Sequence, residues 1–212
     1  MRIKLLACLF CLAVMMCFTP VQALAQTQRP ELKRTSANPR SDSFDFRVLA
    51  TNKTSTMEKE MNEAAEAGYR FAYVMGGETS FGGNEAVVVM AKKLEDAPAK
   101  GRYQYRLLAT SKTSTMQKEM SEAGDAGFNY CGQTVYNSSF GGQEVVIIME
   151  RAREEAPTRY DFLLLATKRT STMQKELNGV GQEGYEIAGM TVSKTAFGGT
   201  EIVVILRRPK NK

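Results

Sequence analysis

Three copies of one sequence pattern place hydroxyl groups, a basic side chain and paired glycines where they could bind an anion. In each copy a basic residue, a threonine and a serine precede or open a predicted helix, and two glycines follow in a later hairpin. The candidate residues are Lys53, Thr54, Ser55, Gly82 and Gly83; Lys112, Thr113, Ser114, Gly141 and Gly142; and Arg169, Thr170, Ser171, Gly198 and Gly199. Because the N-terminus of a helix carries free N–H groups and a partial positive charge, the pattern predicts three possible anion sites.

The same residues also have a structural interpretation, which we favour. Each serine stands three residues before a glutamate or glutamine, and this is the spacing of a capping box. The pairs are Ser55 with Glu58, Ser114 with Gln117, and Ser171 with Gln174. The glycines suit the positive φ angles of tight turns. On this interpretation the serines cap three helices and bind no ligand.

Catalytic chemistry has little support in the sequence. The chain contains no histidine, which excludes Ser-His-Asp triads and histidine metal sites and leaves Cys131 without an activating imidazole. Glu85, Glu144 and Glu201 each open a predicted strand, but one carboxylate per repeat does not make an acid-base pair. We therefore expect no enzyme, no cofactor and no metal site.

The internal repeat defines the domain organisation. We place three units at residues 43–98, 102–157 and 159–209, joined by charged stretches that contain proline. A unit of this length is only marginally stable alone, so the three units should share a core. We expect them to pack around a pseudo-threefold axis.

Within each unit the hydrophobic pattern predicts strand, helix, strand, strand. The fold class is therefore α+β, with three tandem β-α-β-β repeats. Each is an antiparallel three-stranded sheet with one helix packed on it. The last strand is apolar on both faces, which favours a central position with both faces covered. One stripe of each helix should face its sheet, and a glycine should end each helix. The stripes are Met57, Met61 and Ala64; Met116, Met120 and Ala123; and Met173, Leu177 and Val180, and the glycines are Gly68, Gly127 and Gly184.

The third unit resembles a known family. The segments GYEIAGMTV and EIVVILRRPK are similar to a family of small bacterial β-α-β-β domains known only as a domain of unknown function. The similarity covers residues 160–209 best and extends to the other units through the repeat, although GYRF and FNYC depart from the pattern and neither of those units ends in Arg-Pro. The resemblance implies the fold and transfers no catalytic residue.

The first residues predict export. Basic residues, a short apolar run and Ala23-Leu24-Ala25 form the pattern of a signal peptide over residues 1–25, with cleavage after Ala25. A lipoprotein signal at Cys8 and an uncleaved anchor are the alternatives. Residues 26–42 are polar and contain proline, which is typical of a disordered linker. We expect a periplasmic or secreted protein with no stable membrane span after cleavage.

Cleavage would change the cysteine and charge inventory. Only Cys131 would remain, so no intrachain disulfide could form; the thiol would either pair between chains or fill a small buried slot where the other units have Ala72 and Ala188. The formal net charge would fall from +5 to +3, since the two charges lost are both basic. A charge this small and scattered does not favour nucleic-acid binding.

Two functions are consistent with these observations. The first is a noncatalytic exported protein that binds another protein, an envelope polymer or itself through its repeats. The second is a carrier or sensor that binds small molecules or anions at the helix N-termini and Gly-Gly hairpins.

Overall fold

The computed structural model describes residues 43–79, 83–94, 100–137, 143–154, 156–195 and 199–210, so the predicted signal peptide and linker lie outside the described part. The first unit contains β1 (Phe44–Thr51), α1 (Thr54–Glu66), β2 (Arg70–Thr79) and β3 (Gly83–Lys93). The second contains β4 (Tyr103–Thr110), α2 (Thr113–Asp125), β5 (Asn129–Asn137) and β6 (Gln143–Ala152). The third contains β7 (Tyr160–Thr167), α3 (Thr170–Gln182), β8 (Glu186–Thr195) and β9 (Gly199–Pro209).

Each unit forms its own three-stranded sheet with the third strand in the centre. The strand orders are β1-β3-β2, β4-β6-β5 and β7-β9-β8, and every neighbouring pair is antiparallel. The register is the same in all three: Val48, Leu107 and Leu164 face Val89, Ile148 and Ile205 respectively. The predicted fold class and strand order are confirmed.

The helices end as predicted. Gly68, Gly127 and Gly184 have φ angles of 89°, 81° and 84°, a conformation that favours glycine. In the first unit the Gly68 N–H donates to the Ala65 carbonyl and the Tyr69 N–H donates to the Ala64 carbonyl, which is the Schellman arrangement. The corresponding residues of the other two units form the same bonds.

The predicted capping boxes are wrong. The N-cap residues are Lys53, Lys112 and Arg169, without side-chain capping bonds, and Ser55, Ser114 and Ser171 are the second residues of their helices. A threonine at the end of the preceding strand fixes the turn instead. Its hydroxyl accepts from the N-cap N–H, at 3.1 Å for Thr51 and Thr110 and 3.3 Å for Thr167. Because this turn closes early, each helix begins before its serine.

The predicted helix stripes face their own sheets. Met57, Met61 and Ala64 are buried against Val88 and Met90 of β3. The stripe of α2 is equally buried, whereas in α3 only Met173 is fully buried. The third core is smaller because no further unit follows the third among the described residues.

The opposite faces of the second and third sheets pack on the preceding unit. Tyr105 and Ile148 of the second unit belong to the first core, and Phe162 and Ile205 of the third unit belong to the second core. Both faces of β6 and β9 are therefore covered, as predicted, whereas the prediction is wrong for β3, where Val87 and Val89 are only partly buried because no unit packs on them among the described residues. In the described residues only consecutive units form such junctions, so the array is open and the expected pseudo-threefold arrangement is wrong.

Cys131 is a free, partly buried thiol that packs against the first core. Burial, followed by the negative charge of Glu150, raises its pKa to about 12, so the thiol stays protonated at neutral pH. No helix among the described residues is both long and apolar enough to cross a membrane.

Candidate functional site

The structure places the predicted anion-site residues at the helix starts. Lys53, Lys112 and Arg169 are exposed there, each followed by its threonine and serine. Gly83 and Gly199 begin β3 and β9. The remaining four predicted glycines, Gly82, Gly141, Gly142 and Gly198, lie outside the described residues.

In the third unit the helix-side loop and the hairpin do approach each other. A Cβ atom added to Gly199 would lie 2.5 Å from Lys168 Nζ. The basic group that reaches the hairpin is therefore Lys168, and sequence reasoning had assigned that place to Arg169.

In the second unit the start of α2 is enclosed by the third unit. Leu164, Ser193 and Val203 close a cavity of about 20 Å³ beside Lys112 and Thr113. This space holds about one water molecule. Here the loop forms part of a junction between units, and the space left for an anion is small.

The first junction joins α1 to the edge of β4 through two polar side chains. The Leu107 N–H donates to Glu58 Oε2 at 2.8 Å. Asn62 pairs with both backbone groups of Tyr105, accepting from its N–H and donating to its carbonyl at 3.0 Å each. The backbone N–H and carbonyl groups at the free edge of β4 are thus bonded by side chains of α1 instead of a fourth strand.

The second junction repeats this arrangement with one residue. Gln117 of α2 donates to the Phe162 carbonyl and accepts from the Leu164 N–H, both at 2.7 Å. Gln117 corresponds to Glu58, so one helix position serves both junctions. The glutamate or glutamine that suggested a capping box therefore binds the next unit.

An ion pair between an exposed arginine and a buried glutamate adds to the first junction. Arg70 of β2 forms a bidentate pair with Glu150 of β6, with Nη2 and Oε1 2.7 Å apart. The Tyr105 hydroxyl donates to Glu150 at 2.8 Å and accepts from the Phe71 N–H. The hydrogen bond to Glu150 raises the pKa of Arg70, while burial and the charge of Glu150 raise the pKa of Tyr105. This network holds the first and second units together.

The same region contains a polar crevice of about 360 Å³. Arg70 and Arg151 line it, but both already have partners: Arg70 binds Glu150, and Arg151 donates to Gln104 and to the Ala126 carbonyl. The charge of Arg70 is thus compensated by Glu150, and the N–H groups of Arg151 already have acceptors, so these two side chains do not by themselves define an anion site.

The helix α3 carries the same junction surface, and no further unit covers it among the described residues. An open groove of about 470 Å³ lies between α3 and β8, and we call it the rear groove. It is lined by Met173, Gln174, Leu177, Met190, Val192 and Ile202, among others. Ile187, Met190 and Val192 are exposed large hydrophobic residues.

The first sheet carries the complementary surface. Its exposed face, which we call the front face, contains Phe44, Phe46, Val48, Tyr73 and Met75. Phe46 is 62% exposed, whereas the corresponding Tyr105 and Phe162 are 2% and 4% exposed at the internal junctions. The two ends of the array thus expose the two halves of one junction.

Sequence reasoning missed both end surfaces. The alternation of Phe44, Phe46 and Val48 in β1 was visible, as was the polar pair four residues apart in each helix. Neither pattern indicates which units contact each other.

A scan against protein-family models, a search of curated proteins and a search of solved structures each found no match for this chain.

Proposed function

We propose that this protein is a noncatalytic scaffold that binds protein chains at the two ends of its triple-repeat array. The observation that carries this proposal is the distribution of exposed hydrophobic residues. Of the nine large ones in the described structure, eight lie on the front face or at the rear groove, and only Leu94 lies elsewhere.

Apolar ends are unusual for a repeat array. The terminal units of solenoid proteins ordinarily present a polar outer surface that keeps them soluble. Contiguous exposed apolar patches instead mark sites of interaction. The surfaces at these two ends therefore support protein binding over an inert structural role.

The rear groove favours an extended strand as its ligand. At both internal junctions the matching surface holds a strand whose alternate side chains enter the core and whose backbone bonds a helix side chain. Gln174 stands at the position of Gln117 and is exposed. A bound strand would gain both apolar burial and two backbone hydrogen bonds.

Export remains part of this proposal. The signal-peptide pattern over residues 1–25 would deliver the scaffold to the periplasm or the medium. Intact-mass measurement of the exported protein should give a chain that begins at Gln26. A cytoplasmic full-length product would refute this part.

Binding of a strand peptide tests the function. A labelled peptide of residues 43–51, SFDFRVLAT, should bind the purified chain saturably in fluorescence anisotropy. The control peptide carries Asp in place of Phe46 and should bind at least tenfold more weakly. Equal binding of both peptides, or of neither, would overturn the proposal.

A further inference from the structure

We propose that the strand bound in the rear groove is β1 of a second copy of this chain, so that the molecules assemble head to tail. This inference rests on the proposed function and names its partner. Three relationships between the two ends support it.

The first relationship is between the apolar residues of β1 and those of β7. Phe46 and Val48 occupy the positions of Phe162 and Leu164, which fill the groove between the second and third units. In β1 these side chains are 62% and 64% exposed. A second copy offers the rear groove a strand of the same pattern and register.

The second relationship is that Gln174 of α3 stands where Gln117 stands at the second internal junction. Gln117 binds the Phe162 carbonyl and the Leu164 N–H. Gln174 can bind the Phe46 carbonyl and the Val48 N–H of a second copy in the same way. In the free chain Gln174 donates instead to Asn178, so its amide is placed at the groove and available for exchange.

A glycine of α3 gives the third relationship. Gly124 of α2 lies so close to β7 that an added Cβ would collide with the Tyr160 carbonyl and the Phe162 ring. The corresponding residue of α3 is Gly181, which has no atom within 4 Å of an added Cβ. The first junction has Ala65 at this position, so both internal junctions accommodate only a small residue there, and Gly181 leaves the same space open for β1.

One pair of positions differs between the proposed junction and the internal junctions. Gly132 and Gly189 make room for Phe71 and Tyr130 of the preceding unit. At the proposed junction the corresponding residues are Tyr73 on the front face and Ile187 beside the rear groove. Both of these side chains are large, whereas each internal pair contains a glycine, so the two surfaces must lie farther apart at this point than they do at the internal junctions.

The two surfaces are different, so the contact is heterologous. Such contacts form a closed ring when the rotation between copies closes and an open filament when it does not. Sedimentation velocity of the purified chain over a concentration series should show species larger than the monomer that grow with concentration. A monomer at all concentrations, including one whose own N-terminal residues fill the groove, would overturn the inference.

Two blocking variants test the polarity of assembly. Phe46→Asp blocks the front face, and Gly181→Glu blocks the rear groove. Each variant alone should remain monomeric, because each retains only one working end. Mixed in equal amounts they should form a dimer and stop there, since the remaining ends are both blocked. Assembly of either variant alone, or no dimer from the mixture, would contradict the inference.

Control variants separate docking from general effects. Gly179→Glu introduces the residue found at the matching positions Glu63 and Glu122 and should assemble like the original chain. Leu94→Asp alters the exposed hydrophobic residue outside both ends and should also assemble normally. Loss of assembly in either control would overturn the assigned surfaces. Peptide binding without self-assembly would leave the scaffold function standing and remove only this inference.

Discussion

The Gln117 Oε1 atom accepts a hydrogen bond of 2.7 Å from the backbone N–H of Leu164. Through this bond a helix side chain of the second unit closes the edge of the first strand of the third unit. The same side chain donates to the Phe162 carbonyl. One amide thus replaces the two bonds that a neighbouring strand would supply.

Gln117→Ala should destabilise the protein. The substitution leaves two backbone groups unpaired at a partly buried junction, which costs about 1 to 3 kcal/mol. Gln174→Ala is the matched control, because the corresponding residue of α3 is exposed and its loss should change stability by less than about 0.5 kcal/mol. Urea unfolding in dilute solution compares the two. Equal losses would show that the junction bond is unimportant.

Phe162 and Phe46 occupy corresponding positions in β7 and β1, but their replacement should affect stability very differently. Phe162→Ala removes a ring that is 4% exposed, and we expect a loss of about 3 to 5 kcal/mol. Phe46→Ala, measured at a concentration where the chain is monomeric, should cost less than about 0.5 kcal/mol. Thermal unfolding by circular dichroism gives both values. A large loss for Phe46→Ala would mean that the front face is covered within the monomer.

The strand-to-helix turn gives a third prediction. Ser114→Ala should change stability by less than about 0.5 kcal/mol, because this serine lies inside α2 and forms no cap. Thr110→Val removes the acceptor of the Lys112 N–H and should cost about 0.5 to 1.5 kcal/mol. Denaturant unfolding gives the free energy of unfolding of each variant, and the Thr110 variant should be the less stable of the two. A more damaging Ser114 variant would restore the capping-box interpretation.

These turns show where sequence reasoning succeeded and failed. Periodicity of two and of 3.6 residues identified the strands and helices, and the apolar third strand identified its central place. The serine spacing was misleading, since Glu58 and Gln117 bind backbone groups of the next unit. Those backbone groups are far away in sequence, so no local pattern can predict them as hydrogen-bond partners. Whether the array closes also depends on the geometry of the junctions, which is why the open ends appeared only in the structure.

Alkaline pH should weaken the first junction. Burial and Glu150 raise the pKa of Tyr105, whereas in the unfolded chain the phenol ionises near its ordinary pKa of about 10. Above that pH the unfolded state binds fewer protons than the folded state, so stability falls as pH rises.

Tyr105→Phe, which copies the residue of the third unit at Phe162, tests this effect. The variant should lose stability less steeply than the original chain between about pH 9 and 11, as measured by urea unfolding. Some dependence should remain, because burial also raises the pKa of Tyr130 to about 12. Identical slopes for the two proteins would contradict the assignment to Tyr105.

Site-specific cross-linking tests the central claim most directly. In a chain that begins at Gln26 and carries Cys131→Ala, which contains no other cysteine, Val48→Cys and Gln174→Cys place one thiol on the front face and one in the rear groove, at opposite ends of the array. A short bis-maleimide should join the two positions between molecules and give a ladder of dimers, trimers and larger species. A chain that carries only one of the two introduced cysteines should give no covalent oligomer. Peptide mapping should identify the link between the two introduced cysteines. A monomer alone after cross-linking, or a link between two copies of the same position, would contradict head-to-tail assembly.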